Sequence, residues 1–153
     1  MAGYLKIGDR NYIGTLVSSS DGLENGVFVT MDYANGQVDV PADDATGLVG
    51  FVQNEIDSLN PHGKDETDFS INTDDYARVS VATEGKMYVT DKITSTYAGI
   101  SVGDEMAVGA NGQLALVADL TAADLTGFHT TFIVKEKVTL YGNDAVIVVT
   151  KVK

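Results

Sequence analysis

The sequence predicts an all-β fold, a small barrel assembled from hairpins. Three observations predict it. Glycine is abundant at 16 and proline scarce at 2, and the glycines punctuate short valine-rich runs. That is the composition of short strands joined by tight turns. Apolar residues alternate on both sides of an Asn-Gly pair, with Met106 and Val108 before Asn111-Gly112 and Leu114 and Leu116 after it. Period two marks a half-buried strand, and Asn-Gly tolerates the positive φ that a type I′ hairpin turn needs at both central positions. Finally, the chain nearly repeats itself. Residues 22–40 read GLENGVFVTMDYANGQVDV and residues 99–117 read GISVGDEMAVGANGQLALV. Both copies run from Gly-(Leu/Ile)-x-x-Gly through an apolar stretch to Ala-Asn-Gly-Gln, with one extra residue in the first. Turn chemistry alone accounts for Asn-Gly but not for the shared Ala, Gln and paired glycines. The expectation is a duplicated hairpin, its two copies in comparable positions of one barrel.

In chain order, residues 1–13 hold Tyr4, Leu5, Ile7, Tyr12 and Ile13 with Lys6 and Arg10 among them. This opening is basic in an acidic chain. It reads either as a first edge strand or as an N-terminal arm that adds to a partner's sheet. Residues 14–153 read as one β domain. Residues 18–26 are a loop by composition. Residues 27–33 are a strand, Asn35-Gly36 a turn, and Val38 and Val40 the return. The run 48–52, LVGFV, reads as a short central strand, because Gly47 and Gly50 disfavour helix. Residues 54–75 carry seven Asp or Glu against the lone Lys64. Without the D-x-[DN]-x-[DN]-G spacing of a calcium loop, they read as a solvated loop.

Residues 78–90 read as a hairpin about Thr83-Glu84-Gly85-Lys86. A short helix is expected near 121–127, capped by Thr121 and ended by Gly127. A C-terminal hairpin, 132–152, turns at Gly142-Asn143-Asp144. Glu136 interrupts its apolar face, which requires a bulge or an exposed strand end. The β-branched run 146–152 reads as a strand buried on both sides.

The formal net charge is −12. That disfavours nucleic acid, whose phosphates need a basic surface, and equally an anionic membrane. No apolar run reaches the length of a transmembrane helix, and the start lacks a signal-peptide pattern, so synthesis in a cytoplasm is expected. With no cysteine, neither disulfides nor Cys-based metal sites arise. His62 and His129 stand apart, without metal-binding spacing, and neither a G-x-S-x-G elbow nor a phosphate-binding loop is present. No catalytic residue, cofactor or metal site is expected.

With the strands placed, the run TGLVGFVQNEID, ARVSVATEGKMYVTDKI and GISVGDEMAVGANGQLALV resembles the capsid cement, or head decoration, proteins of tailed bacteriophages. The matching elements are 47–52, 79–85 and 100–114, within a resemblance spanning about residues 20–118. It implies a compact β-barrel or β-tulip fold, no enzymatic activity, and binding to the outside of an assembled capsid. The partner would be the major capsid protein, the location the virion surface, and the bound form a homo-oligomer. Tyr4, Leu5, Lys6, Ile7, Arg10 and Tyr12 are the candidate capsid contacts, because Tyr and Arg are enriched at interfaces and termini fray unless tied down. Two rival readings are a tail-tube or other virion subunit, and a small binding module or enzyme of the host.

Overall fold

The computed structural model describes residues 12–54, 70–120, 127–140 and 142–153. The expected acidic loop lies mostly outside them, as do His62, the helix near 121–127 apart from Gly127, and the contact candidates Tyr4, Leu5, Lys6, Ile7 and Arg10. The described chain is all-β, with only short 3-10 turns at Tyr97–Gly99, Ala110–Gly112 and Val117–Asp119. No helix among the described residues is long and apolar enough to cross a membrane.

Five strands close a small barrel in the order β1-β3-β2-β4-β5. They are β1 Tyr12–Ser18, β2 Phe28–Asp32, β3 Gln37–Asp39, β4 Val49–Val52 and β5 Tyr76–Val81. Closure comes from β1, which pairs in parallel with β3 and antiparallel with β5. Inside lie Leu16, Leu23, Val27, Val29, Val38, Val52, Ala77 and Val79, with Ile71 bridged to Leu23. The other five strands form a second sheet in the order β6-β10-β9-β7-β8. Here β6 is Met87–Thr90, β7 Glu105–Val108, β8 Leu114–Leu116, β9 Thr130–Leu140 and β10 Asn143–Val152.

The two sheets share a core because the barrel wall is apolar on both sides. In β4, Val49 and Phe51 face the second sheet while Val52 faces the barrel interior. All four residues of the strand are buried, which explains an unbroken apolar run at that place. Gly50 faces inward, and a Cβ there would lie 2.1 Å from Val79 Cγ1. Outside the barrel, Phe28 meets Phe51, Tyr88 and Phe132 at ring-centroid separations of 5.1, 5.7 and 4.7 Å. Met106, Val108, Leu114, Val134, Val146 and Val148 complete this shared core.

Four expectations need correction. First, 78–90 is no hairpin: β5 pairs with β1 and β4, whereas β6 pairs with β10. The turn at Thr83 to Lys86 forms, with Lys86 N–H donating to Thr83 O at 3.1 Å. It carries the chain from one sheet to the other, because burying Ala82 and Tyr88 in the shared core outweighs pairing with the neighbour in sequence. Second, the two Ala-Asn-Gly-Gln segments lie in different sheets, β2–β3 in the barrel and β7–β8 in the second sheet. Their turns differ too. Asn111 and Gly112 both have positive φ, 60° and 70°, but in the first copy only Gly36 does, at 69°. Asp32 pairs with Gln37 there, and its carboxylate caps the longer loop by accepting from Ala34 N and Asn35 N at 3.0 and 3.1 Å. What does repeat is the approach: Leu23 and Ile100 are buried, and Gly26 and Gly103 take φ of 89° and 94° just before β2 and β7.

Third, β10 runs unbroken through Asn143-Asp144. Leu140 pairs with Asn143, and Gly142 supplies the positive φ, 84°, so the turn sits earlier. Fourth, β10 is central in its sheet but not buried on both sides. Val146, Val148 and Thr150 are buried while Ile147 and Val149 are half-exposed. A bulge does explain Glu136. Ile147 faces Glu136 and Val148 faces Val134, so Lys135 is the extra residue and Glu136 reaches solvent.

Candidate interaction surface

The β1–β5 seam gathers aromatic and basic side chains on an acidic molecule. The register shifts between Ile13 and Leu16, leaving Gly14 and Thr15 opposite Arg78. This bulge opens a groove of about 360 Å³ lined by Tyr12, Gly14, Asn54, Tyr76 and Arg78. Tyr12 lies under two cations, with the Arg78 guanidinium 4.4 Å and the Lys86 ammonium 5.3 Å from its ring centroid. Contacts of this kind are worth about 0.5–1 kcal/mol at exposed sites. Tyr76 stands 66 % exposed, although it is next but one to Arg78 on the same strand face.

The groove floor is fixed by amide clasps. Asn25 and Asn54 bond reciprocally, Asn54 N donating to Asn25 Oδ1 at 2.7 Å and Asn25 Nδ2 to Asn54 O at 3.0 Å. The Asn54 side chain then spans β5, accepting from Arg78 N at 2.6 Å and donating to Tyr76 O at 2.9 Å. Its amide is thereby spent on positioning, and the recognition chemistry left at the surface is aromatic and cationic. Partial burial pushes the Lys86 ammonium below its ordinary value. Behind it, burial pushes the Tyr88 phenol up, against the hydrogen bond with Ser80.

Among the sequence-derived candidates, Tyr12 is the one the described residues contain, and it is strand, paired with Ser80. Tyr76, Arg78 and Lys86 were not singled out by the sequence. Their signal was faint: Tyr76 and Arg78 share a strand face at spacing two, and Lys86 is basic in an acidic chain. His129 is exposed, its backbone N–H donating to Thr46 O at 2.7 Å. Among the described residues no group of three or more His, Cys, Asp or Glu could hold a metal ion.

A second cleft, about 460 Å³, opens where the sheets meet, between Asp21, Glu24, Pro41, Lys92 and Asn111. The Glu24–Lys92 ion pair crosses it. At its rim the Asp21 carboxylate accepts from Thr73 N at 2.8 Å, which holds its pKa below the ordinary value of 3.8. Asp32 is lowered likewise by the side chain and then the backbone of Asn35. Both groups bind protons more weakly in the folded than in the unfolded chain. Their contribution is therefore complete above pH 3.8 and is lost as pH falls through the lower folded values. An Asp21→Asn/Asp32→Asn variant should show a shallower fall in melting temperature below that pH than the wild type; parallel profiles would remove these carboxylates from the acid response. Comparison with protein-family models, with curated proteins and with solved structures finds no match for the chain.

Proposed function

We propose that the chain is a structural virion protein of a tailed bacteriophage, one that binds the outside of an expanded capsid and stabilises it. The observation that supports this most is where the segments resembling decoration proteins fall. Residues 47–52, 79–85 and 100–114 contribute Val49, Phe51, Ala82, Ile100, Met106, Val108 and Leu114 to the shared core. The likeness therefore resides in residues that join the two sheets, and it is not confined to exposed turns. A protein that binds only the expanded lattice stabilises that lattice by mass action, and many copies add avidity.

The partner is the major capsid protein, and the contact is assigned to the opening segment together with the seam it leads into. The proposed contacts are thus Tyr4, Leu5, Lys6, Ile7 and Arg10 of the opening segment and Tyr12, Tyr76, Arg78 and Lys86 of the seam. The test is co-sedimentation with expanded capsids. Because Tyr12 and Ile13 pair with β5, the informative deletion ends at residue 11. It should leave the free subunit's melting temperature unchanged and abolish capsid binding. Arg78→Glu should weaken binding roughly tenfold or more, as for charge reversal within a contact. Unchanged binding by both variants would move the contact elsewhere. Tubes or stacked rings of the purified protein in negative stain would favour the tail-tube reading instead.

A further inference from the structure

Among the described residues strand β6 ends the second sheet, and two features meet on it. The first is its backbone. Thr150 N–H donates to Lys86 O at 2.8 Å, and β10 then pairs through Val148–Tyr88 and Val146–Thr90. Ladder bonds in an antiparallel pair fall on alternate residues. The N–H and C=O groups of Met87 and Val89 therefore face away from β10, toward the open edge. The second feature is its outer face. Met87 and Val89 are 58 % and 41 % exposed. They lie beside Val149 and Ile147 of β10, and Val149 in turn lies beside Ile133 of β9. These neighbours are half-exposed, so an apolar stripe runs inward from the open edge. Tyr88 anchors the strand from beneath, its hydroxyl within 3.2 Å of Ser80 Oγ and 3.3 Å of Val81 O.

We propose that two copies of this chain join edge to edge through β6, antiparallel about a two-fold axis at Tyr88. Pairing across such an axis keeps outward side chains outward, so it joins residues of like parity. With the axis at Tyr88, Met87 faces Val89 of the second copy, and their open backbone groups bond reciprocally. The four apolar side chains extend the stripe across the junction. Charge selects both the occupant and the register. The chain carries −12 overall, which opposes self-association, but Glu84, Lys86, Asp91 and Lys92 balance around this strand. In this register Glu84 and Lys92 of the two copies fall at the same level beyond the strand ends, Lys92 paired with Glu24 of its own chain and the Glu84 carboxylate accepting from Val152 N, so the ends meet with their charges balanced. Moving the axis to Val89 would set Lys86 against Lys92. Lysines beside a short edge strand ordinarily discourage pairing; here the acids at both ends make the edge complementary to itself.

Sedimentation equilibrium of the full chain should show a species of twice 16.2 kDa as concentration rises. Val89→Pro removes a donor that faces only the open edge, a position where sheets accept proline. It should remain monomeric with an unchanged far-ultraviolet spectrum. Met87→Lys, which leaves the backbone alone, should be monomeric as well. The chain has no cysteine, so engineered pairs report cleanly. Oxidised Met87→Cys/Val89→Cys should give a covalent dimer, since directly opposed residues lie within disulfide reach, and Val89→Cys alone should not. A wild type that stays monomeric up to millimolar concentration overturns the proposal, as does a dimer that persists in both Val89→Pro and Met87→Lys. Cross-linking by Val89→Cys alone overturns the register.

Discussion

Gly112→Ala is expected to be the most damaging single-methyl change in the described chain. A Cβ at Gly112 would lie 2.1 Å from the carbonyl oxygen of Phe28 and 3.3 Å from its nitrogen. The neighbour is backbone, so no rotamer change relieves the overlap, and the β7–β8 turn must lift off β2. The glycine also holds φ at 70°, a region alanine enters at a cost of roughly 1–2 kcal/mol. The sum should reach about 4 kcal/mol or more, within the range reserved for specific core disruption. Gly36 provides the control, because its φ is 69° and nothing lies within 4 Å of its Cβ position. Gly36→Ala should cost only roughly 1–2 kcal/mol, the backbone penalty alone. Urea unfolding midpoints at constant slope measure both. Equal costs would show that the turn does not press on β2.

Phe28→Ala should destabilise the protein by about 3–5 kcal/mol, the usual range for emptying a buried aromatic site. Phe28 is fully buried and touches rings from both sheets: Phe51 in β4, Tyr88 in β6 and Phe132 in β9. The cavity would open between the barrel and the second sheet. Phe28→Leu, which keeps most of the volume, should cost less than about 1.5 kcal/mol. Thermal unfolding followed by far-ultraviolet signal and by tyrosine fluorescence should show one shared, lowered transition in each variant. A loss below 1 kcal/mol for the alanine variant would mean that neighbouring side chains collapse into the space.

How much of this was legible in the sequence depended on whether the determinant was local. The strand at Met106/Val108 announces itself by alternation and the one over 146–152 by its β-branched run, though not that run's one-sided burial, while the misplaced Glu136 announces a bulge or an exposed strand end. The two-sided burial of β4 is written in an unbroken apolar run. Partner choice is not written locally. Val79 and Val89 flank a good turn, and that turn chemistry is the same whether the strands fold onto each other or part into different sheets. The Asn-Gly pairs mislead for a related reason. Asp32 lies close enough in sequence to cap the first turn with its carboxylate, while the second presses its glycine onto Phe28. Nor could spacing join Tyr12 to Arg78 and Lys86, since only barrel closure brings β1 against β5.

The second sheet has at its centre a strand that comes late in the sequence: β10 lies between β6 and β9. Domains fold from the N-terminus as they are made, and every barrel strand is in hand once Val81 has been synthesised. The second sheet must wait for residues 143–152. During that interval a closed barrel would present Phe28, Val49 and Phe51 to solvent, an apolar wall with nothing yet to cover it. Pairings so distant in sequence also form slowly. A nascent or C-terminally truncated chain is therefore the form most exposed to aggregation and most in need of a chaperone, and a tag that hinders β10 would hold the protein in that form.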